Sequence, residues 1–235
     1  MRGKELALQL LFPRRCPVCD DIVTPFGEKI CLDCMKKLKV ITPPWCMRCG
    51  KKLFDEEEYC KDCRERDHDF VRGRALYEYT SAAGSIYRFK YKERQEYADF
   101  YGEEIAFYLG DFIRRIEPDA LIPIPLHKKR KRKRGYNQAK LLAKSIGRQL
   151  EIPVEDHLLV RIRDTKPLKL LNPSDRQNNL KKAFNIARND VKLKRVILID
   201  DIYTTGSTID EAAKTLRKNG IEDVFFLTLA STTGM

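Results

Sequence analysis

This sequence predicts an α/β protein built on a parallel sheet, with a small metal-held module ahead of it. Two observations carry that prediction. Val196–Ile199 is a run of four apolar residues with the look of a strand buried on both faces. It is followed by Asp200, Asp201, a hydroxyl-rich turn, a helix-period segment and a second apolar run, Val224–Leu229. All eight cysteines fall within residues 16–63, as four Cys-x-x-Cys pairs: Cys16/Cys19, Cys31/Cys34, Cys46/Cys49 and Cys60/Cys63.

Taken in order, Met1–Arg15 reads as a short helix ending near Pro13. The cysteine pairs come next, separated by 11, 11 and 10 residues. Two thiolates at Cys-x-x-Cys spacing chelate one ion on a tight knuckle, and two knuckles complete a tetrahedral site. Eight cysteines therefore make two structural Zn²⁺ sites. Sequential pairing (16/19/31/34, then 46/49/60/63) gives tandem zinc ribbons, and a crossed pairing is open at this stage. So short a segment buries little core, so the metal supplies its folding energy. Disulfides are the alternative, but no secretory signal precedes the cysteines.

Asp67–Arg74 is the expected boundary, dividing the chain into a module over 1–68 and a larger domain over 69–235. Arg74–Tyr79 alternates as a strand. Ser81–Tyr108 is mostly helical, with Gly102 as its weak point. Within it Tyr87, Phe89 and Tyr91 alternate with Arg88, Lys90 and Lys92. On a strand that would be a base-stacking platform; on a helix, which the flanking pattern favours, it is mixed packing and surface. Ala120–Ile124 is a short strand stopped by prolines. A loop follows, carrying His127 and seven consecutive bases: Lys128, Lys129, Arg130, Lys131, Arg132, Lys133 and Arg134. Asn137 and Gln138 open a helix whose Ala139, Leu142, Ala143 and Ile146 share a face. Leu158–Arg163 reads as a strand, Asp164–Pro173 as a loop, and Asp175–Lys182 as a polar helix capped by Ser174. Phe184 and Ile186 make the next core contact. After the acidic pair, Thr208 and Glu211 have capping-box spacing, Ile209, Ala212, Ala213 and Leu216 repeat at helical intervals, and Gly220 ends the helix.

Charge narrows the partners. Residues 1–69 carry 14 Lys and Arg against 13 Asp and Glu, and the remainder carries 32 against 21. The excess suits phosphates, pyrophosphate or nucleic acid. The cysteine module is different: eight thiolates and two zinc ions leave it mildly acidic, which favours protein docking or folding over DNA. No apolar stretch is long enough to span a membrane, and the cytosol is the expected compartment.

The turn itself has a readable chemistry. Ligands of open α/β sheets sit beyond the carboxyl ends of the strands. Thr204, Thr205, Gly206, Ser207 and Thr208, leading into a helix, offer amides and hydroxyls to one point, which suits a phosphate. Asp200 and Asp201 would repel that phosphate, so they belong to hydroxyls or a divalent metal. A sugar with a phosphate at one end and vicinal hydroxyls at the other meets both demands. The seven bases follow a strand on the same sheet edge, where they could cover a pyrophosphate or grip a nucleic-acid backbone.

Val196–Thr208 resembles the 5-phosphoribosyl-1-pyrophosphate (PRPP) motif of type I phosphoribosyltransferases. The resemblance implies that Thr204–Thr208 hold the ribose 5-phosphate and that Asp200 and Asp201 take the ribose hydroxyls. It also implies that Mg²⁺ arrives with PRPP, and that Lys128–Arg134 with Asn137 and Gln138 face the pyrophosphate. The whole order is similar to the ComF (ComFC) family: a double zinc ribbon, Arg134-Gly135-Tyr136-Asn137-Gln138, Arg176 and Asn179 before Ala183-Phe184, then the PRPP motif. The sequence departs from that family at Leu168, where a Gln is usual. Membership implies a type I phosphoribosyltransferase fold and a place in natural competence, handling incoming single-stranded DNA beside a ComFA-type helicase. It leaves open whether the chain is an active transferase.

Overall fold

The structure is a computed structural model, and it describes residues 12–164, 182–187 and 192–233. The expected helix over 1–15 falls largely outside them. So do most of the expected loop over 164–173, nearly all of the polar helix over 175–182, and Leu168, Arg176 and Asn179.

Four parallel strands form the central sheet in the order β1-β6-β5-β2. They are β1 (Arg72–Glu78), β2 (Ala120–Pro123), β5 (Arg195–Tyr203) and β6 (Asp223–Ser231). β3 (Leu159–Arg161) and β4 (Phe184–Ile186) form a separate antiparallel pair. The helices of the larger domain are α3 (Tyr79–Tyr91), α4 (Tyr97–Ile116), α5 (Lys128–Arg134), α6 (Gln138–Leu150) and α7 (Ser207–Lys218). The cysteine module has two short ones, α1 (Leu32–Met35) and α2 (Lys61–Glu65).

Alternation along β5 builds two cores. Ile197 and Ile199 join a cluster with Ile105 of α4 and Leu142 of α6 on one face. Val196 and Leu198 join Ile209 and Leu216 of α7 on the other. All four strand residues are fully buried, and each such side chain contributes about 1.5–3 kcal/mol by leaving water.

The module straddles the β1 edge of this sheet. Cys16 and Cys34 of the first ribbon belong to the α4–α6 core, and Cys46, Cys49 and Cys60 of the second belong to the α7 core. Arg94 grips Asp20 at 2.8 Å, and the Tyr97 hydroxyl donates to the Cys16 carbonyl at 3.0 Å. Between the ribbons, Ile41 N–H donates to the Leu76 carbonyl and Glu78 N–H to the Lys39 carbonyl, both at 2.9 Å. The inter-ribbon segment thus lies against β1 as an antiparallel partner, through the Val40–Tyr77 bridge.

Several expectations are corrected. The seven bases are a helix, not a loop. His127 caps it by accepting from Lys129 N–H at 3.4 Å, and Gly135 ends it at φ 80°. Asp164 draws its first turn in, lying 3.5 Å from His127, 3.9 Å from Lys129 and 3.9 Å from Arg130. The segment after β1 is two helices broken near residues 92–96. Gly102 lies within α4, where a Cβ would stand 2.2 Å from Ser145 Oγ, so it marks a close helix approach rather than a break. α7 starts at Ser207 behind Gly206, not at Thr208 with a capping box; Glu211 accepts instead from Lys182 N–H at 2.6 Å.

Candidate functional site

β5 runs on through the acidic pair to Tyr203, so Asp200 and Asp201 lie within its carboxyl end. Both are half-buried. Burial, then the neighbouring Asp201 charge, pushes the Asp200 carboxyl up to about 7. Asp201 is ion-paired with Lys90 of α3 at 2.6 Å.

The turn that follows is tight for a stated reason. Gly206 has φ 80°, and a Cβ there would stand 2.6 Å from the Tyr203 hydroxyl. Thr205 and Ser207 hydroxyls lie 3.1 Å apart. α7 begins here, so the amides of its first turn have no partner inside the helix. A dimple of about 30 Å³ sits over the turn, lined among others by Asp200, Thr204, Gly206, Ser207 and Thr208. Tyr203, 2 % exposed, also lines it, and its hydroxyl has no hydrogen-bond partner among the described residues.

The α5 bases divide by face. Arg130, Lys133 and Arg134 line a cavity of about 330 Å³ together with Lys90, Tyr91 and Glu93. Lys128, Lys129, Lys131 and Arg132 are exposed and do not line it. Arg134 lies over the Tyr91 ring at 4.6 Å and donates to the Tyr91 hydroxyl at 2.8 Å and to Gln138 Oε1 at 3.0 Å. Gln138 is 1 % exposed and acts as a support for Arg134. Asn137 is spent on structure: its Oδ1 caps α6 through Ala139 N–H, and its Nδ2 donates to the Ile124 carbonyl at 3.0 Å.

Two charged residues at this edge escaped the sequence reading. Lys90 was read as packing or surface, although its alternation with aromatics had marked the segment. Arg161 of β3 was not singled out. Burial and then Arg130 pull its pKa down to about 10, while Asp200 and Asp164 act to hold it up. Tyr87 and Tyr91 are exposed with rings 5.1 Å apart, while Phe89 between them is buried, as a helix dictates.

The cysteines settle into the sequential pairing: Cys16, Cys19, Cys31 and Cys34 form one group, and Cys46, Cys49, Cys60 and Cys63 the other. Within each, the sulfurs lie within 4.8 Å of one another. Cys49 and Cys60 Sγ are 3.6 Å apart, close to the edge of about 3.8 Å of a tetrahedral Zn–S₄ site. The second group reaches the phosphate-type turn through His68, whose side chain is 1 % exposed. Its Nε2 faces Cys63 Sγ at 3.5 Å and its Nδ1 faces Asp210 of α7 at 2.9 Å. Asp210 also accepts from Asp69 N–H at 3.2 Å.

Comparison with known proteins agrees with both halves. Residues 7–64 match the double zinc ribbon domain and residues 133–233 the phosphoribosyl transferase domain. Competence protein F of Haemophilus influenzae is 32 % identical over 220 residues, covering 91 % of this chain and 95 % of that protein. The chain belongs to the ComF family. Competence protein ComFC of Bacillus subtilis is 32 % identical over 203 residues, covering 82 % of this chain and 80 % of that one. DNA utilization protein YhgH of Escherichia coli K12 is 27 % identical over 215 residues, covering 90 % and 94 %. This ComF-family chain thus joins a phosphoribosyltransferase domain to two four-cysteine sites that fit structural zinc ribbons. Among its described residues no helix is long and apolar enough to cross a membrane.

Proposed function

We propose that this ComF-family chain binds PRPP at the carboxyl edge of its sheet and acts in handling single-stranded DNA during competence. One observation carries the reading. A carboxylate pair, a turn of small hydroxyls at a helix start and three cavity-lining bases are gathered on one edge. The first-turn amides of α7 and the hydroxyls of Thr204, Thr205, Ser207 and Thr208 hold the 5-phosphate. The Tyr203 hydroxyl donates to the same group and so finds the partner it lacks. Asp200 and Asp201 accept from the ribose diol, and Lys90 shares its charge between Asp201 and the incoming anion. Arg130, Lys133 and Arg134 face the pyrophosphate. Mg²⁺ comes with the pyrophosphate and offsets its charge. Each cysteine group holds one Zn²⁺, fixing the ribbons against α4 and α7. The names of the H. influenzae, B. subtilis and E. coli relatives support the DNA part of the proposal.

Calorimetry with Mg²⁺-PRPP tests it. Wild type should bind and the pair Asp200→Ala, Asp201→Ala should not; equal affinity in both removes the site. A second reading, active transfer with release of pyrophosphate, is favoured by the roomy basic cavity of about 330 Å³ beside Lys90. In such a reaction, attack at the ribose C1 expels pyrophosphate through a cationic sugar, and the α5 bases stabilise the leaving group. Pyrophosphate release above the hydrolytic background with any base or nucleic acid would establish it.

A further inference from the structure

The opposite edge of the sheet carries a second, larger feature. A groove of about 1090 Å³ runs beneath the amino ends of the strands, touching Arg72, Arg195 and Asp223, the first residues of β1, β5 and β6. The second ribbon walls one side and the carboxyl half of α4 the other. Five to six residues of β5 separate Arg195 from Asp200 and Asp201, which puts the groove roughly 17–20 Å from the acidic pair.

We propose that this groove binds single-stranded nucleic acid. Its lining includes five arginines against two aspartates. Among the described residues no carboxylate pairs with Arg48, Arg72, Arg74 or Arg115, whereas Asp111 is already committed to Arg114 at 2.7 Å. Arg74 sits deepest, 8 % exposed, with its guanidinium between Trp45 at 4.7 Å and Phe112 at 5.2 Å. Among the described residues its one hydrogen bond is to the Gly73 carbonyl at 3.1 Å, which leaves most of its N–H donors for a ligand. Burial and then Arg72 act to lower its pKa, while the Cys46 and Cys49 sulfurs act to raise it. Four arginines without a carboxylate partner among the described residues, against two aspartates of which one is committed to Arg114, suit an anion, and the count asks for several phosphates rather than one.

The aromatic residues decide what kind of polyanion. Trp45 is the chain's single tryptophan, and Tyr59 and Tyr108, 41 % and 48 % exposed, stand at the same groove. Unpaired bases stack on such rings and on arginine planes. A duplex hides its base faces from these rings, so single strands are selected. This site rests on the single-stranded-DNA part of the proposed function and gives it a place; it is separate from the PRPP site and from α5, and neither is needed for it.

The zinc-loaded full chain provides the test. Binding of labelled oligo-dT and oligo-U is followed by anisotropy, and Trp45 emission is read in parallel. Both probes should bind and quench Trp45, and a duplex of equal length should bind at least tenfold more weakly. Arg48→Ala, Arg72→Ala and Arg115→Ala together should weaken binding at least tenfold. They should also reduce the slope of log affinity against log salt by about 2, from about 0.7 per lost phosphate contact. Tyr108→Ala should weaken binding with the salt slope unchanged, as stacking requires. An unchanged circular-dichroism spectrum and an unchanged urea midpoint in these variants report that the fold is intact. Wild-type oligo-dT affinity in the triple variant overturns the proposal. So does duplex binding as tight as single-strand binding, or quenching of Trp45 by polyglutamate but not by oligo-dT. Failure of PRPP to bind wild type would sink only the site at the other edge.

Discussion

Gly206→Ala probes the tightest point of the phosphate-type turn. The perturbation adds one methyl group at a residue with φ 80°, in the left-handed region that costs an alanine about 1–2 kcal/mol. The methyl would also stand 2.6 Å from Tyr203 Oη, 3.1 Å from its Cζ and 3.2 Å from its Cε2. Tyr203 cannot step aside freely, because its ring stacks on Phe226 at 4.7 Å and 7° and meets Phe70 edge-on. Overpacking of that kind costs about 1–3 kcal/mol, so the total is about 2–5 kcal/mol. Urea unfolding of the zinc-loaded protein measures it. Tyr203→Phe removes the closest atom and leaves the backbone cost. The double variant should therefore recover about 1–2 kcal/mol relative to additivity. Alone, Tyr203→Phe should be neutral or slightly stabilising, since it deletes a buried hydroxyl without a partner, yet it should bind PRPP several-fold more weakly. A Gly206→Ala cost below about 1 kcal/mol with unchanged PRPP affinity would refute the reasoning.

Three further outcomes are expected. Asp200 holds a proton to about pH 7 in the folded chain but only to about 3.9 when unfolded, so its stabilisation is complete below pH 4 and lost above 7. The stability of Asp200→Asn relative to wild type should rise with pH across that window, on the order of 1 kcal/mol per unit, and a flat difference would contradict it. Neutralising Arg130, Lys133 and Arg134 should weaken PRPP binding by calorimetry at least tenfold, whereas neutralising Lys128, Lys129, Lys131 and Arg132 should change it less than twofold. Metal analysis should find two zinc ions per chain, and His68→Ala should release one of them to a chelator faster than wild type; one ion or none would overturn the paired-ribbon reading.

What the sequence made legible was what lies contiguous in it. The strand, acids, turn and helix of residues 196–216 stand within one stretch, and Cys-x-x-Cys spacing states its chemistry locally. The pairing of the knuckles was open because it is decided by where each ribbon docks. α5 was misread because seven like charges argue against a helix, until His127, Gly135 and Asp164 are seen to cap and draw it in. Glu211 left its capping box for the Lys182 backbone, a partner 29 residues away. Lys90, Arg161 and the Trp45–Arg74–Phe112 sandwich are assembled from distant segments, and no periodicity announces them.

The inter-ribbon segment along β1 has a consequence for any attempt to cut this protein in two. β1 is the outermost strand, and residues 39–41 occupy its free hydrogen-bonding side. Trimming away the cysteine-rich portion would strip that guard and bare a hydrophobic ribbon of unsatisfied peptide groups, a template on which neighbouring molecules zip together. The metal-bearing half is therefore a hem stitched along the fabric's raw border, and a fragment lacking it should precipitate before it can be assayed.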